Sequence, residues 1–162
     1  MTVSIRPATA DDLEFLVELY GHEEVRPFLA AGRSYDRDWI AGSLDGIVVA
    51  ELDGQRAGAF AWELRNERNG IVHVGGVAVH PRFRGRRLAD DAARLLQRHL
   101  LVERGFHRIE LEIYGFNERA QRHVERSGFV KEGVKRKAYR HGDEWVDGVL
   151  YGLLVEDLDE PR

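Results

Sequence analysis

The chain has 162 residues, of which 43% are hydrophobic and 32% charged, and its formal net charge is −4 at pH 7. This length fits a single globular domain, and the negative charge argues against a nucleic-acid partner, because nonspecific nucleic-acid binding depends on a basic surface. No apolar run approaches the roughly 20 residues of a membrane span. The chain has no cysteine, which excludes disulfides, thiolate nucleophiles and cysteine-based metal sites.

The amino-terminal part of the chain predicts one strand and three helices. Residues 3–6 alternate as a strand and lack the apolar stretch of a signal peptide, so we expect a cytoplasmic protein with no membrane partner. Asp11 is placed to cap the first helix. Shorter helices are predicted at 22–31 and 36–44, with Gly32 breaking the pattern between them. The inner face of the first helix carries Leu13, Leu16, Val17 and Tyr20.

The middle of the chain predicts a hairpin followed by a central strand. Alternating runs at 46–52 and from 55 or 56 to 63 flank Asp53-Gly54, a strong two-residue hairpin signal. A turn at 67–70 then leads into a buried strand that starts at Ile71. These runs favour antiparallel neighbours in one sheet.

The carboxyl-terminal part predicts alternating strands and a short helix. Gly105 ends a long helix. We expect one domain at 1–156 and a loose tail at 157–162. The predicted elements are a strand at 107–114, a helix at 117–126, and strands at 130–139 and 144–154 that flank a turn at 141–143.

The junction at 71–89 predicts an anion-binding site. A buried strand runs into a basic, glycine-containing turn, and the pattern is helical from about Arg86 onward. The first turn of a helix has unpaired amides and a partial positive charge, and Asp90 and Asp91 fall in that turn. A diphosphate can bind there, so we expect a phosphate-bearing cofactor. The inner face of this helix is predicted to carry Leu88, Ala92, Leu95, Leu96, His99 and Leu100.

Two common phosphate-binding loops are excluded by the residues of the turn. It lacks the G-K-[ST] of nucleoside-triphosphate loops and the G-x-G-x-x-G of dinucleotide-binding folds. The segment Arg84–Ala89 instead resembles the Q/R-x-x-G-x-G/A segment of the GNAT N-acetyltransferases, which bind the pyrophosphate of acetyl-coenzyme A. Arg87 replaces the central glycine of that pattern. A negative φ at Arg87 would tolerate the side chain and add a charge beside the phosphates, whereas a positive φ would make the match false.

The resemblance extends over nearly the whole chain. It implies an α/β (α+β) fold with a mixed, mostly antiparallel central sheet of six or seven strands flanked by about four helices. It also implies acetyl-coenzyme A as co-substrate and no metal. Members of the family often dimerise through edge strands, so a homodimer is one arrangement that it implies. In family order, the matching segments are 4–16, 77–81, 111–120 and 127–133.

The resemblance assigns the cofactor-binding residues. The strand end at Val77, Ala78 and Val79 would pair with the amides of the pantetheine arm. The Val77 N–H would polarise the thioester carbonyl and hold the developing oxyanion. Gly75-Gly76 would allow a bulge that frees this edge, or would merely allow close packing. Asn117 would contact the arm, cap a helix, or do both. The phosphate-binding residues would be Arg84, Gly85, Arg86, Arg87, Leu88, Ala89 and Asp90, with Arg82 adding charge.

The candidate catalytic residues are Glu112 and His73. Glu112 matches the glutamate proposed as the base of ribosomal-protein N-terminal acetyltransferases, and His73 the base position of the histone-acetyltransferase branch. Each residue also has a purely structural interpretation. Glu112 would be the ion-pair partner of an arginine, and His73 would be an ordinary half-exposed strand residue. Val124 stands where many members carry a tyrosine acid. Ser127, Tyr139 or water could replace that acid.

The resemblance therefore predicts transfer of an acetyl group from acetyl-coenzyme A to a primary amine. The branch it favours, ribosomal-protein and spermidine acetyltransferases, indicates a peptide N-terminus or a polyamine. Two alternatives stay open: a small-molecule, antibiotic or amino-acid acetyltransferase, and a catalytically silent acyl-coenzyme A-binding module. Glu23, Glu24 and Asp36 could attract a cationic acceptor or form an ordinary solvated face. Trp39, Trp62 and Trp145 could line the acceptor groove or belong to the core.

Overall fold

A computed structural model describes residues 1–29 and 34–158 of the chain. The predicted break at Gly32 and the last four residues of the predicted tail lie outside these ranges. In the described part, the strands are β1 (Val3–Pro7), β2 (Ile47–Leu52), β3 (Gln55–Asn66), β4 (Ile71–Val79), β5 (Arg108–Tyr114), β6 (Val130–His141) and β7 (Glu144–Leu154). The α-helices are α1 (Leu13–Gly21), α2 (Arg37–Gly42), α3 (Leu88–Gln97) and α4 (Glu118–Arg126).

The strands form a seven-stranded mixed sheet in the order β1-β2-β3-β4-β5-β7-β6. β4 and β5 are parallel, and the β1–β2, β2–β3, β5–β7 and β6–β7 pairs are antiparallel. Asp53 and Gly54 both have positive φ, at 50° and 78°, as the twist of a tight hairpin requires. The predicted mixed, mostly antiparallel sheet is confirmed, and its parallel pair is β4–β5.

The chain divides into two compact units. The first comprises Met1–Glu63 and Val74–Leu96, and the second comprises Leu64–His73 and Gln97–Arg162. In the first unit, β2 is buried on both faces: Ile47 and Val49 pack with α1 and α2, whereas Leu52 packs with Phe83 and Leu88. Burial on both sides explains why this strand is a continuous apolar run.

In the second unit, the two faces of β5 and β7 differ in character. Alternate residues of a strand point to opposite faces, so the buried Ile109, Leu111 and Ile113 lie on one face and Glu110 and Glu112 on the other. α4 covers the apolar face, where the Tyr151 hydroxyl donates to Glu125 Oε1 at 2.8 Å. The opposite face is therefore the polar one.

Three local predictions are wrong. Asp11 does not cap α1: a 3₁₀ turn at Ala10–Asp12 precedes the helix, and the buried Asp12 accepts the Thr9 N–H at 2.8 Å. Instead of a helix from residue 22, the described part has a 3₁₀ turn at Arg26–Phe28, because Pro27 lacks the N–H needed to continue a helix. Leu95 of α3 is 36% exposed.

Candidate active site

The turn after β4 has an unusual backbone conformation. A 3₁₀ turn at Pro81–Phe83 is followed by two left-handed residues, Gly85 with φ of 77° and Arg87 with φ of 58°. The Asp91 N–H donates to the Arg87 carbonyl at 3.1 Å, so the amides of Leu88 and Ala89 precede the first intrahelical bond. Left-handed residues next to a helix start point successive N–H groups toward one region and create an anion-binding concavity. We call residues 84–90, which are predicted to bind phosphate, the phosphate turn.

Side chains hold the phosphate turn in place. Phe83 and Leu88 are buried beside Leu52 and Ala57, which fixes the start of α3. The guanidinium groups of Arg82 and Arg86 lie 4.9 and 5.8 Å from the centre of the Phe83 ring. An added Cβ at Gly85 would meet no heavy atom within 4 Å, so the space above this glycine is open.

Arg84 is engaged with the chain itself. Its Nη1 lies 3.4 Å from Glu24 Oε1, and its Nη2 donates to the Glu24 carbonyl at 2.9 Å. This pairing ties the phosphate turn to the segment after α1 and gives Glu24 a partner within the chain. Phosphate contact through the Arg84 side chain stays a prediction.

The end of β4 is kinked at Gly76. This glycine has a φ of 54°, and its carbonyl accepts the buried Tyr20 hydroxyl at 2.7 Å. An added Cβ would lie 2.9 Å from Tyr35 Cε1 and 3.0 Å from the Tyr20 hydroxyl. The close packing expected of the glycine pair is therefore present at Gly76, which is also left-handed, whereas a bulge that frees the strand edge stays a prediction. Of the strand-end residues that follow, Val77 is 43% exposed and Ala78 7%.

The candidate bases lie on one face of the sheet within the second unit. His73 of β4 pairs with Glu110 of β5 in parallel register, so the His73 side chain lies on the face that carries Glu110 and Glu112. His73 is half-buried. Arg108 on this face pairs with Glu110 at 2.9 Å and also with Glu132, so Glu112 is the carboxylate of β5 outside that arginine network.

Glu112 is 14% exposed, and its two oxygens differ. Oε2 accepts a hydrogen bond from Lys135 Nζ at 3.2 Å. Oε1 is buried and has no hydrogen-bond partner among residues 1–29 and 34–158. It faces the backbone of β7 at Gly148, where an added Cβ would overlap it. Glycine at 148 is thus required by the position of this carboxylate.

Two tyrosines, Tyr114 and Tyr139, lie close to the Glu112 carboxylate, and Phe116 and His141 pack against Tyr114. Tyr114 lies 6.0 Å from Tyr139, 5.3 Å from Phe116 and 5.5 Å from His141, measured between ring centres. Burial, together with the Glu112 charge, raises the pKa of Tyr114 and of Tyr139, so both hydroxyls are neutral at physiological pH.

Lys135 was not anticipated from the sequence. Its hydrogen bond to Glu112, followed by that to Tyr139, raises its pKa, so the ammonium stays charged. β6 has an irregularity between Lys135 and Tyr139: these residues pair with Gly148 and Val146, so four steps along β6 match two along β7. The basic run in β6 was visible in the sequence, but this irregular register was not.

The other candidate residues have structural partners. Asn117 caps α4, since its Oδ1 accepts the Ala120 N–H at 3.2 Å; cofactor contact by Asn117 stays a prediction. Ser127 donates its hydroxyl to the His123 carbonyl at 3.0 Å, and Val124 is only 9% exposed. Asp36 caps α2 through the Trp39 N–H at 2.9 Å.

Residues 1–29 and 34–158 contain neither a metal-ligand group nor a helix of membrane-spanning character. None of their His, Asp and Glu side chains form a group of three or more that could hold a metal ion. None of their helices is long and apolar enough to cross a membrane.

Comparison with known proteins identifies the family. The model of the acetyltransferase (GNAT) family matches residues 13–129, and the chain belongs to this family. It is 24% identical over 127 residues to the SPbeta prophage-derived uncharacterized N-acetyltransferase YokL of Bacillus subtilis (strain 168), covering 76% of this chain and 71% of that protein. The protein is an acetyl-coenzyme A-dependent acyltransferase.

Solved structures confirm the fold. A GNAT-family acetyltransferase from Bacillus anthracis has a TM-score of 0.81 and 22% identity, with 96% of each chain covered. Spermidine N-acetyltransferase from Vibrio cholerae, in complex with CoA and spermine, has a TM-score of 0.83 and 16% identity, again with 96% of each chain covered.

The criterion that we set for Arg87 is wrong. A positive φ was expected to make the family match false, yet φ is 58° and the chain belongs to the family. Glycine at this position of the pattern permits a left-handed residue, and Arg87 adopts the same conformation at an energetic cost of roughly 1–2 kcal/mol.

Proposed function

We propose that the protein transfers the acetyl group of acetyl-coenzyme A to a primary amine of a peptide N-terminus or a polyamine, by direct attack of the amine. The observation that carries this proposal is the half-buried Glu112 carboxylate beside Tyr114 and Tyr139. Carboxylates attract ammonium groups, and aromatic faces attract cations. The spermine-bound relative supports a cationic acceptor.

The phosphate turn fits the pyrophosphate of the co-substrate. Its left-handed Gly85 and Arg87, its open space at Gly85 and the amides at the start of α3 together form an anion site. The Arg82 and Arg86 guanidinium groups beside Phe83 supply positive charge. The strand end at Val77–Val79 would hold the pantetheine arm, and Asn117 would contact it. Acetyl-coenzyme A supplies an acetyl group activated as a thioester.

The main task of the protein in the chemical step is to remove a proton from the acceptor. A lysine-like amine with a pKa near ~10.4 is neutral in only about one molecule in a few thousand at pH 7. We assign proton acceptance to Glu112, whose Oε2 already binds an ammonium from Lys135. His73, on the same face, is the alternative base. Tyr139, which is neutral and beside Glu112, is the candidate proton donor in place of the tyrosine that Val124 replaces.

A thiol-release assay over a panel of amines, combined with a cofactor titration, tests this proposal. We expect acetyl-coenzyme A binding, and thiol release that requires a primary amine and is fastest with polyamines or peptide N-termini. Release with only amino acids or antibiotics would favour the small-molecule alternative. Binding without release for any amine would favour the silent module, an outcome to which the missing acid at Val124 points.

A further inference from the structure

The Glu112 carboxylate is open to a ligand on one oxygen only. Oε1 is buried against the β7 backbone at Gly148, where even a methyl group would overlap it. A ligand amine that reaches this carboxylate must therefore bind Oε2.

The group that binds Oε2 is the Lys135 ammonium, which is a primary amine like the acceptor. Lys135 Nζ lies 3.2 Å from Oε2, 3.4 Å from the Tyr139 hydroxyl and 5.8 Å from the centre of the Tyr139 ring. The two extra residues of β6 between Lys135 and Tyr139 place both side chains toward Glu112, and the Lys137 N–H, which donates to Asp147 Oδ1 at 2.8 Å, holds this irregularity in place. A carboxylate, a hydroxyl and an aromatic ring around one ammonium form a primary-amine site.

We propose that the Lys135 ammonium occupies the same position at Glu112 that the ammonium of a cationic acceptor takes. The acceptor must therefore displace Lys135. This inference rests on the proposed function, in which Glu112 meets the acceptor. Displacement costs little, because the Lys135 side chain is 49% exposed and partly exposed ion pairs contribute weakly. Lys135 thereby determines acceptor specificity: it competes with cations and attracts acceptors that carry a carboxylate.

The test compares two acceptors of opposite charge in the full-length protein. Butane-1,4-diamine carries only ammonium groups, whereas glycylglutamate carries two carboxylates beside its amine. In Lys135→Met, we expect the KM of the diamine to fall about two- to five-fold and the KM of glycylglutamate to rise by a similar factor, with smaller changes in kcat. Lys135→Arg should restore wild-type values. Lys131 is the matched control, since it is exposed on the same strand and faces the opposite side, paired with Tyr151.

Two results overturn the inference. The first is an unchanged or higher KM for the diamine in Lys135→Met while Glu112→Gln still slows turnover, and this leaves the proposed function intact. If no amine releases thiol, the proposed function fails, and calorimetric titration of the diamine into wild type and Lys135→Met still tests Lys135. In that case, equal affinities overturn the inference.

Discussion

Glu112 is the residue on which the proposed chemistry depends most. We expect Glu112→Gln to lower kcat by at least about 100-fold, the usual contribution of a positioned base, and to leave acetyl-coenzyme A affinity unchanged. Steady-state thiol release and a cofactor titration measure the two effects. Glu118→Gln is the control, because Glu118 is 78% exposed and pairs only with Arg122 along α4 among the described residues. A Glu112→Gln enzyme with the pH–rate profile of the wild type would exclude Glu112 as the base.

Arg87 stores conformational strain in the phosphate turn. Because φ is 58°, Arg87→Gly should increase the free energy of unfolding by roughly 0.5–1 kcal/mol, after allowance for the greater freedom of glycine in the unfolded chain. Arg87→Ala keeps the strain and should give no gain. Urea titration of the three proteins measures the difference. Equal stability of the glycine and alanine variants would show that position 87 is not left-handed.

At the level of single residues, sequence reasoning found what strand alternation and family motifs determine. Glu112 and His73 were placed correctly on strands, and the structure puts them on one sheet face. Lys135 was missed because its contact with Glu112 depends on an irregularity in β6 that separates it from Tyr139. The conformation of Arg87 could not be predicted, since a non-glycine residue rarely adopts positive φ.

Among the elements, β4 depends on the kink at Gly76. We expect Gly76→Ala to destabilise the fold by about 2–4 kcal/mol, because alanine is strained at a φ of 54° and its Cβ would crowd Tyr20 and Tyr35. Gly142→Ala is the matched control: φ is 63°, but no heavy atom lies within 4 Å of the added Cβ, so only about 1 kcal/mol should be lost. Equal losses in thermal or urea unfolding would contradict the packing account of Gly76.

The start of α3 depends in the same way on Gly85. Gly85→Val should weaken acetyl-coenzyme A binding at least about ten-fold, because a branched side chain disfavours a φ of 77° and would fill the open space above the turn. Gly105→Val places the same side chain at a φ of 75° in open space outside the phosphate turn. It should lose comparable stability but keep cofactor affinity. Equal cofactor affinities for the two variants would exclude the phosphate turn as the binding site.

The sequence predicted well those elements that a short run of characteristic residues marks. It predicted poorly the elements that lack such residues. The hairpin at Asp53-Gly54 followed from two residues that both tolerate positive φ. The helix expected at 22–31 failed in the described part, because helix-like spacing gave way to a 3₁₀ turn around Pro27. The start of α3 at Leu88 was placed two residues early, since the left-handed Arg87 delays helical hydrogen bonding.

For the whole molecule, the buried Asp12 predicts a specific pH dependence of stability. Its carboxylate pairs with Arg6 at 2.8 Å and Arg56 at 2.7 Å, and Arg6 above all holds its pKa well below the ordinary value of 3.8. Because the folded-state pKa is depressed, the carboxylate stabilises the fold fully above about pH 5, and this stabilisation is lost progressively as the pH falls from there toward the folded-state pKa.

Asp12→Asn should therefore lower the free energy of unfolding at pH 7 by about 2–3 kcal/mol. This is less than for a fully buried pair, because both arginines stay partly exposed. The difference from wild type should shrink in urea titrations carried out from pH 5 downward. The exposed neighbour variant Asp11→Asn should show neither effect. A deficit of Asp12→Asn that is the same at pH 3 and pH 7 would contradict this assignment.

The most direct test of the central claim is mass spectrometry of a reaction of the purified protein with acetyl-coenzyme A and a panel of primary amines, including polyamines and short peptides. We predict the addition of one acetyl group to a primary amine, matched by an equal amount of released thiol and slowed at least about 100-fold in Glu112→Gln. Bound acetyl-coenzyme A with no acetylated amine, or acetylation that continues unchanged in Glu112→Gln, would contradict the account.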